Sequence, residues 1–337
     1  MSVTAKELAR KLNLSESAIS LALNHRPGVS TATRRRGIEA AKACGYDFSR
    51  LRSAAEPTTP SGSVCFVIYR KHGAVVTDTP FFAQLAEGID AACRQFSCFL
   101  NIHYLYEGDD VEAQLADWQR TGTKGIILLG TEMSQPDLSP FLGSTIPLIL
   151  LDNYFETINI DSVLINNVQG AFTATSFLIR RYRSQPGYLH SSYPVSNFKE
   201  RANGFYKAIR ESGMSPSRSP VHHLAPSAEG AYSDMTELLA AGESPARSYF
   251  ADNDLIAAGA MRAFRESGLR IPQDVALIGF DDLPLCTFTE PSLSTIRVPK
   301  QYMGILAVRR LHERITGRNE CPLKIEIATT LIKRGSL

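Results

Sequence analysis

The chain has 337 residues, of which 44% are hydrophobic, and a net charge of only +2. This length suits about two domains, and no segment reaches the roughly 20 consecutive apolar residues that a membrane span needs. The N-terminus lacks the apolar stretch of a signal peptide, so we expect a cytoplasmic protein. The six cysteines are scattered, which predicts idle thiols and no metal or redox centre.

The positive charge is concentrated at the N-terminus. Residues 1–55 hold ten Lys or Arg and four Asp or Glu, a net charge of +6, so the remainder carries −4. This asymmetry predicts a polyanion-binding head on a body with another task. A solvated basic surface is the alternative.

The first helix is predicted from a capping box. Thr4 offers a hydroxyl to an unpaired backbone N–H, and Glu7 reaches back to the Thr4 backbone. Leu8 and Leu12 lie on the buried face of this helix, and Asn13 suits the left-handed turn that ends it.

Two further helices follow, separated by a Pro-Gly loop. Ser15 is the N-cap of a helix that runs to about Leu23, and Ser30 caps a third helix that runs to about Cys44. Two short helices joined by a tight turn and braced by a third have the helix-turn-helix arrangement. An ordinary three-helix docking domain is the alternative.

The second helix carries small side chains, which let a helix approach base edges in the major groove of DNA. Glu16, Ser17, Ser20 and Leu21 face outward, where Ser donates or accepts, Glu accepts from cytosine and Leu contacts a thymine methyl. The arginines at 34–36 lie where phosphates would be and add affinity without sequence information.

The stretch "VTAKELARKLNLSESAISLALNHRPGVSTATRRRGIEAAKACGY" resembles the head of the LacI/GalR repressor family. It shares the Thr-initiated first helix, the Ser-x-x-x-Ile-Ser-x-x-Leu-Asn second helix, the Val-Ser-x-x-Thr-Arg start of the third and the closing Gly-Tyr. The resemblance implies a homodimer on a near-palindromic operator in double-stranded DNA. The predicted DNA contacts are Thr4, Ser15, Glu16, Ser17, Ser20, Leu21, Asn24, Ser30, Thr33, Arg34, Arg35 and Tyr46.

The next segment, "DFSRLRSAAEPTTPSG", departs from the family pattern. Phe48 and Ser49 replace the usual Pro-Asn, and Ala55 stands where the family has a Leu that wedges into the minor groove. Because a large apolar wedge is what kinks a base step, we expect less DNA bending than in a relative with that Leu. Leu51, one turn earlier, is an alternative wedge.

From about residue 62 the pattern changes to alternating strands and helices. Short β-branched or aromatic runs predict strands at 63–69, 124–130, 146–152, 162–167, 185–191, 246–254 and 274–282. Helical patterns separate them at about 81–96, 110–121, 168–182, 198–212, 230–241 and 254–267. This alternation predicts parallel sheets with helices on both faces, which bind ligands beyond the carboxyl ends of their strands.

Polar pairs follow four of these strands, namely Asp152-Asn153, Asn166-Asn167, Asn253-Asp254 and Asp281-Asp282. One such pair is usually a turn, but four favour a pocket lined with hydrogen-bonding groups. Arg201 fits such a pocket because a guanidinium fork can grip vicinal hydroxyls, a carboxylate or a phosphate. A surface ion pair with Glu200 is the alternative for that arginine.

The body resembles the same family in "TPFFAQLAEGID", "NNVQGAF", "ERANGF", "FADNDLIAAGAMRAFRESGLRIPQDVALIGFDDLPL" and "PSLSTIRVPKQYMG". The resemblance therefore covers essentially the whole chain. It implies a small all-α helix-turn-helix domain followed by an α/β two-lobed, periplasmic-binding-protein-like (type I) domain, with an effector between the lobes. The implied effector contacts are Thr79, Phe81, Asp152, Asn153, Asn167, Arg201, Asn253 and Asp281.

The predicted domains are a helix-turn-helix domain at 1–47, a hinge or linker at 48–61 and an effector-binding and dimerisation domain at 62–337. Lobe 1 is expected at about 62–161 plus 293–320, and lobe 2 at about 162–292 plus 321–337. Helix 81–96 lies in the region where the family dimerises.

These features predict a DNA-binding transcriptional regulator, specifically a repressor, whose operator affinity responds to a sugar-like effector, without a cofactor or metal. A sugar-binding transport protein is one alternative, opposed by the basic head. An enzyme that uses the Asp/Asn/Arg cleft is another, opposed by the absence of the G-x-G-x-x-G, G-x-x-x-x-G-K-[ST] and G-x-S-x-G motifs. A structural DNA-binding protein with a vestigial body is a third.

Overall fold

The structure is a computed structural model that describes residues 4–23, 28–44, 46, 62–76, 79–317 and 321–337. Its internal contacts divide the chain into two units, Met1–Ser61 and Gly62–Leu337. Asn24, a predicted DNA contact, lies outside the described residues, as does the predicted hinge with Phe48, Ser49 and Ala55. Among the described residues, no helix has the length and apolar character that crossing a bilayer requires.

The N-terminal unit contains α1 (Ala5–Leu12), α2 (Glu16–Leu23) and α3 (Thr31–Ala43). Thr4 and Glu7 form the predicted capping box, and Asn13 ends α1 with a φ of 53°. Ser30 caps α3 by accepting a hydrogen bond from the Thr33 backbone. Each of these caps is confirmed, because every one satisfies a backbone group that the helix end leaves unpaired.

These three helices share a small core. Leu8 of α1, Ile19 of α2 and Ala41 of α3 are fully buried. Gly37 of α3 allows α2 to approach closely, since a methyl group added there would lie 3.2 Å from Ala22 Cβ. The buried face of α2 is thereby fixed, and its opposite face is left to solvent.

The C-terminal unit alternates strands and helices. In chain order they are β1 (Ser63–Arg70), α4 (Pro80–Gln95), β2 (Phe99–Tyr106), α5 (Val111–Arg120), β3 (Thr123–Leu129), α6 (Gln135–Leu142), β4 (Leu148–Leu151), β5 (Ser162–Ile165), α7 (Asn167–Tyr182), β6 (Gly187–Ser191), α8 (Ser196–Glu211), β7 (Val221–Leu224), α9 (Ala228–Ala240), β8 (Ser248–Ala251), α10 (Asp254–Glu266), β9 (Ala276–Asp281), β10 (Ser294–Arg297), α11 (Lys300–Ile315), β11 (Lys324–Ile327) and β12 (Thr330–Ile332).

Two six-stranded sheets define two lobes. The first has the order β11-β5-β4-β3-β1-β2 and the second the order β12-β10-β9-β8-β6-β7. The strand pairs are parallel, except for the antiparallel pair of β10 and β12. The predicted α/β fold with parallel sheets is confirmed.

The strands are hydrophobic along their whole length because both faces are covered. In β1, Phe66 and Ile68 belong to a core shared with α4 and α11, whereas Cys65 and Val67 belong to a core shared with α5 and α6. A strand buried on both faces reads as a continuous apolar run, which is why β1 was predicted within one residue of its observed end.

The chain passes between the two lobes three times, after β5, after β10 and after β11. Sheet pairing places Ser162–Ile165 and Lys324–Ile327 in the first lobe and Ser294–Arg297 in the second. The predicted boundaries at 161, 293 and 321 differ from this arrangement by one strand each. The predicted boundaries were placed before β5, β10 and β11, whereas the chain crosses to the other lobe after each of these strands.

Candidate functional site

A cleft in the C-terminal unit lies beyond the carboxyl ends of strands from both sheets. It contains about 440 Å³ of space, part of it open to solvent. The first lobe contributes Thr131 after β3 and Asp152 after β4, and the second contributes Asn253 after β8 and Asp281 at the end of β9. Ligands of open parallel sheets bind at this position.

The described residues that line the cleft combine apolar walls with a few polar groups. The apolar side chains are Val75, Phe81, Phe82, Val195, Phe198, Leu255 and Leu283, and the polar ones are Thr79, Thr131, Asp152, Asn197, Arg201, Asn253 and Asp281. Six of the eight predicted effector contacts are thus brought together, namely Thr79, Phe81, Asp152, Arg201, Asn253 and Asp281.

Asp152 presents a buried carboxyl group to this cleft. Its backbone is left-handed, with a φ of 64°, and its Oδ2 accepts a hydrogen bond of 2.7 Å from the Thr131 hydroxyl. Its Oδ1 is buried and has no hydrogen-bond partner among the described residues. Burial raises the pKa of Asp152 to about 7, although the Thr131 hydrogen bond and the Arg201 charge oppose the increase; the nearby Asp281 carboxyl adds to it. The site therefore holds a buried carboxyl oxygen that can accept a hydrogen bond from a ligand when the group is ionised.

Arg201 lies on α8, and three hydrogen bonds donated by its guanidinium group hold it in place. Its Nε donates to Asn167 Oδ1 at 2.9 Å, its Nη1 donates to the backbone carbonyl of Asp252, and its Nη2 donates to Asp281 Oδ1 at 3.3 Å. The guanidinium also lies 3.8 Å from the centre of the Phe280 ring. These contacts fix a planar donor fork at the wall of the cleft.

Asp281 faces Asp152 across the same cleft. Its backbone φ of 110° is unusual for a residue with a side chain, and such strain is common at functional sites. Burial raises the pKa of Asp281, although the charges of Arg201 and Lys300 oppose the increase. The Lys300 amino group donates to the backbone carbonyls of Asp281, Asp282 and Val298, so it lies behind the site and supports it.

Two helix N-termini complete the polar lining. Asn253 caps α10, because its Oδ1 accepts a hydrogen bond of 2.8 Å from the Ile256 backbone. Its amide nitrogen has no partner among the described residues and remains available as a donor. Thr79 caps α4 by accepting from the Phe81 backbone at 3.3 Å, which places the Phe81 ring in the cleft wall.

Asn153 and Asn167, the other two predicted effector contacts, do not line the cleft. The Asn153 amide donates to the backbone carbonyls of Gly130 at 2.7 Å and Met133 at 3.0 Å. The Asn167 side chain is bound to Arg201 and Asn197. Both predictions are wrong, because these two side chains hold the cleft wall in position through hydrogen bonds and do not themselves line the cleft.

The predicted DNA contacts in the N-terminal unit lie mostly at its surface. Thr4, Ser15, Glu16, Ser17, Ser20, Ser30 and Arg35 are exposed, whereas Leu21, Thr33, Arg34 and Tyr46 are half-buried. Thr4 and Ser30 also cap helices. The Ser15 hydroxyl accepts from the Ala18 backbone at 3.1 Å and bonds with the Ser17 hydroxyl at 2.9 Å. The exposed face of α2 is therefore polar, as predicted.

Comparison with known proteins adds the decisive observation. Residues 177–337 match the periplasmic binding protein-like domain. The HTH-type transcriptional repressor PurR of Haemophilus influenzae (strain PittEE) is 30% identical over 343 positions, which cover 99% of this chain and 98% of that protein. This chain belongs to the LacI/GalR family of transcriptional regulators.

Two solved structures share the fold of this regulator. A complex of the transcriptional regulator CelR with cellobiose matches with a TM-score of 0.72 and 23% identity, over 99% of each chain. A Lac repressor dimer bound to operator and the anti-inducer ONPF matches with a TM-score of 0.68 and 20% identity, over 100% of this chain and 99% of that one. The predicted two-part architecture is confirmed.

Family membership also decides between the function classes left open by the sequence. The curated relatives are transcriptional regulators and repressors, so this chain is a transcriptional regulator and not an enzyme, as predicted.

Several cleft residues of this regulator escaped prediction. Asn197 and Phe198 lie four and three residues before Arg201 on α8, and all three line the cleft. This spacing puts them on one helix face, so Arg201 itself was the signal that could have found them. Thr131 follows its strand after a single Gly, but a lone Thr after a strand carries no comparable signal.

A buried Glu132 next to Thr131 shapes the segment that enters the cleft. Its two oxygens accept backbone N–H bonds from residues 71, 72, 73, 75 and 76, at 2.9 to 3.2 Å. Burial opposes its ionisation, but the backbone donors of Val75, Gly73 and Lys71 hold the pKa of Glu132 below its usual value. Because Val75 lines the cleft, this carboxylate fixes part of the wall.

Proposed function

We propose that this regulator is a repressor that binds a near-palindromic operator as a homodimer and that a sugar-like effector in the cleft changes its operator affinity. One observation carries the proposal. A helix-turn-helix unit with a polar exposed helix α2 is joined in one chain to a two-lobed unit whose cleft holds an unpartnered carboxylate oxygen and a fixed guanidinium. The two sites have the chemistry of base reading and of hydroxyl binding, respectively.

The proposal assigns DNA reading to residues 1–47, linkage to 48–61, and effector binding and dimerisation to 62–337. Glu16, Ser17, Ser20 and Leu21 of α2 contact base edges, and the arginines at 34 and 35 contact phosphates. One head covers few base pairs, so two heads related by a twofold axis are needed for useful specificity. The regulator then works at the nucleoid.

The effector acts through the two lobes. A ligand held between Asp152 and Thr131 of the first lobe and Arg201 and Asn253 of the second binds the closed arrangement better than an open one. Only this difference in affinity shifts the equilibrium, and couplings of about 1–3 kcal/mol are typical. The CelR relative of known structure is a complex with cellobiose, which supports a sugar as the ligand class.

A selection experiment tests the DNA-binding part. Full-length protein is incubated with a random duplex library, and the bound sequences are amplified and sequenced over several rounds. We expect a near-palindromic consensus and, by analytical ultracentrifugation, two chains per duplex. Enrichment of a motif without a dyad, or one chain per duplex, would contradict the proposal.

Base reading is separated from general affinity by two variants of α2. Ser20→Ala and Glu16→Ala are expected to change the selected consensus at specific positions, whereas Glu112→Ala on α5 leaves it unchanged. An unchanged consensus in both α2 variants would remove α2 from the reading surface.

A further inference from the structure

The second lobe carries a group of arginines at the end opposite to the cleft. Arg180, Arg181 and Arg183 lie at the end of helix α7, Arg218 lies in a short 3₁₀ turn before β7, and Arg247 directly precedes β8. Arg247 is half-buried and the other four are exposed. These five residues, called the arginine surface below, lie at the amino ends of the strands, whereas the cleft lies beyond their carboxyl ends.

A tyrosine ring joins two segments of this surface. The guanidinium groups of Arg181 and Arg247 lie 5.9 and 4.5 Å, respectively, from the centre of the Tyr182 ring. The Arg247 Nη1 also donates to the backbone carbonyl of Pro272 at 2.9 Å. The end of α7 and the start of β8 therefore present their arginines side by side.

A glutamine joins the third segment to the same surface. The Gln185 amide, two residues after Arg183, donates to the backbone carbonyl of Ser215 at 2.6 Å and to the hydroxyl of Ser219 at 2.9 Å. These two serines flank the turn that ends at Arg218. The turn is thereby fixed next to the segment that follows α7.

The charges of the arginine surface are not neutralised by carboxylates. Among the described residues, none of its five guanidinium groups forms an ion pair, whereas exposed Arg94 and Arg120 of the first lobe pair with Asp90 and Asp117. Residues 56–337 as a whole carry a net charge of −4. The surface is thus a local concentration of positive charge on a body that is negative overall.

The nearest acidic group does not change this balance. Asp274 lies close enough to Arg247 to be influenced by its charge, but the two Asp274 oxygens accept hydrogen bonds from the Arg270 guanidinium at 2.8 and 2.9 Å. Its charge is therefore already matched by an arginine outside the surface.

Stabilisation of a helix end explains only part of the pattern. Cations in the last turn of a helix interact favourably with its unpaired carbonyl groups, and Arg180 and Arg181 fit that role in α7. Arg183 follows the helix with a left-handed φ of 50°, and Arg218 and Arg247 lie outside any α-helix. Three of the five arginines therefore have no such structural reason.

The chemistry of the surface fits phosphate groups that repeat along a polymer. A guanidinium group matches the geometry of a phosphate with two parallel hydrogen bonds. Five such groups on three segments exceed what one small anion can contact. Double-stranded DNA presents phosphates along its whole length, and it is the polyanion that a transcriptional regulator meets at high local concentration.

We infer that the arginine surface binds the phosphate backbone of double-stranded DNA without sequence preference. The second lobe then holds DNA at a place separate from the helix-turn-helix unit. This contact adds affinity and salt dependence to DNA binding but no sequence information.

Arginine footprinting of the full-length protein tests this inference. Phenylglyoxal modifies accessible guanidinium groups, and mass spectrometry measures the rate at each arginine with and without a random-sequence duplex. We expect DNA to slow the modification of Arg180, Arg181, Arg183 and Arg218 at least fivefold, whereas Arg94 and Arg120 react at unchanged rates. Equal rates at the arginine surface with and without DNA overturn the inference. Protection of Arg35 in the same sample reports binding by the N-terminal unit separately.

The same footprint with poly-glutamate in place of DNA distinguishes a protein partner. Protection of the arginine surface by poly-glutamate but not by DNA would identify it as a site for an acidic protein segment and overturn the inference. Protection by DNA at least fivefold stronger than by poly-glutamate at equal charge concentration is the expected result.

A double substitution supplies the second readout. Arg183→Gln combined with Arg218→Gln leaves the contacts of Tyr182 intact, and Arg94→Gln combined with Arg120→Gln is the control with the same change of charge. We expect the first variant to lower the slope of log K against log salt for random-sequence DNA by about 0.9 for each lost phosphate contact, and the control to keep the wild-type slope. A wild-type slope in the first variant overturns the inference.

Discussion

Asn167 Oδ1 accepts a hydrogen bond of 2.9 Å from Arg201 Nε. The same side chain donates through its Nδ2 to Asn197 at 3.0 Å and to Glu200 at 2.9 Å. Asn167 is the first residue of α7, directly after β5, so one crossing between the lobes ends at the residue that orients the arginine. The position of the guanidinium is thereby coupled to the geometry of that crossing.

Asn167→Ala is therefore expected to weaken effector binding without removing a ligand contact. Arg201 would lose one of three fixed partners, and a hydrogen bond to a charged group contributes about 1.5–3 kcal/mol. We predict a 10-fold or greater loss of sugar affinity with unchanged operator affinity in the absence of sugar. Calorimetric titration checks the first, and fluorescence anisotropy with labelled operator checks the second. A full-affinity variant would show that Arg201 is held adequately by Asp252 and Asp281.

The stability of the unliganded protein is expected to fall as the pH rises from about 4 to about 7. The pKa of Asp152 is about 7 in the folded state against 3.8 in the unfolded chain. Between these values the folded state retains a proton that the unfolded chain has lost, so raising the pH favours unfolding. Asp254 has the same shift, to about 7, and contributes in the same direction.

Urea unfolding at pH 5 and pH 7.5 checks this dependence. Asp152→Asn removes one titrating group and is expected to lose part of the change, while Asp254 and Asp281, whose pKa values burial also raises, supply the remainder. A variant with the wild-type pH dependence would show that Asp152 titrates normally. Because a sugar hydroxyl donates best to the ionised carboxylate, sugar affinity is expected to increase over the same pH range.

Glu132→Gln is expected to destabilise the C-terminal unit. The two carboxylate oxygens accept five backbone N–H bonds. In glutamine one of these oxygens is replaced by an NH₂ group, which cannot accept, so the two or three N–H groups bound to that oxygen lose their partner. Because each buried unpaired donor costs about 1–3 kcal/mol, leaving two or three unpaired costs roughly 2–9 kcal/mol. Urea unfolding measures the loss, with the exposed Glu112→Gln as control. A change below about 0.5 kcal/mol would show that water replaces the lost acceptor.

The pH dependence of this contribution has the opposite sign to that of Asp152. The pKa of Glu132 is lowered below 4.5, so its contribution is present above pH 4.5 and is lost as the pH falls through the folded-state pKa. Acid unfolding of Glu132→Gln is therefore expected to be less steep than that of the wild type, although it starts from lower stability.

Arg35→Ala is expected to weaken operator and random DNA equally. Arg35 is exposed, and its ion pair with Glu39 is long, at 3.8 Å, so the guanidinium can turn toward a phosphate. Loss of one phosphate contact per head reduces the slope of log K against log salt by about 0.9 per head. Anisotropy titrations at four salt concentrations measure the slope, with exposed Arg210→Ala as control. An unchanged slope would place Arg35 away from the phosphates.

The sequence predicted those helices and strands that are determined by interactions between residues close in the chain. Thr4, Asn13 and Ser30 act within one helical turn, and the apolar runs of β1 and β9 report burial on both faces directly. Strand β2 was missed because most of its side chains are exposed at a sheet edge. Helix α6 was missed because Pro136 and Pro140 make its sequence look like a loop.

The site was predicted less completely than the fold, since its composition depends on backbone direction. Asp152 and Asn153 are adjacent and both polar, but the left-handed backbone at Asp152 sends one side chain into the cleft and the other to the Gly130 carbonyl. Val75 and Leu283 lie in loops whose paths are set by Glu132 and Asp254. Such long-range hydrogen bonds leave no periodic pattern in the sequence.

We expect a ligand in the cleft to control operator binding through Arg201. Operator affinity is measured by anisotropy with and without a sugar that raises the Tm, for the wild type, Arg201→Ala and the exposed Arg210→Ala on the same helix. We predict that the sugar changes operator affinity by about 5- to 150-fold in the wild type and in Arg210→Ala, but by less than twofold in Arg201→Ala. Without sugar, all three proteins are expected to bind the operator with equal affinity. An unaltered response in Arg201→Ala would contradict the account.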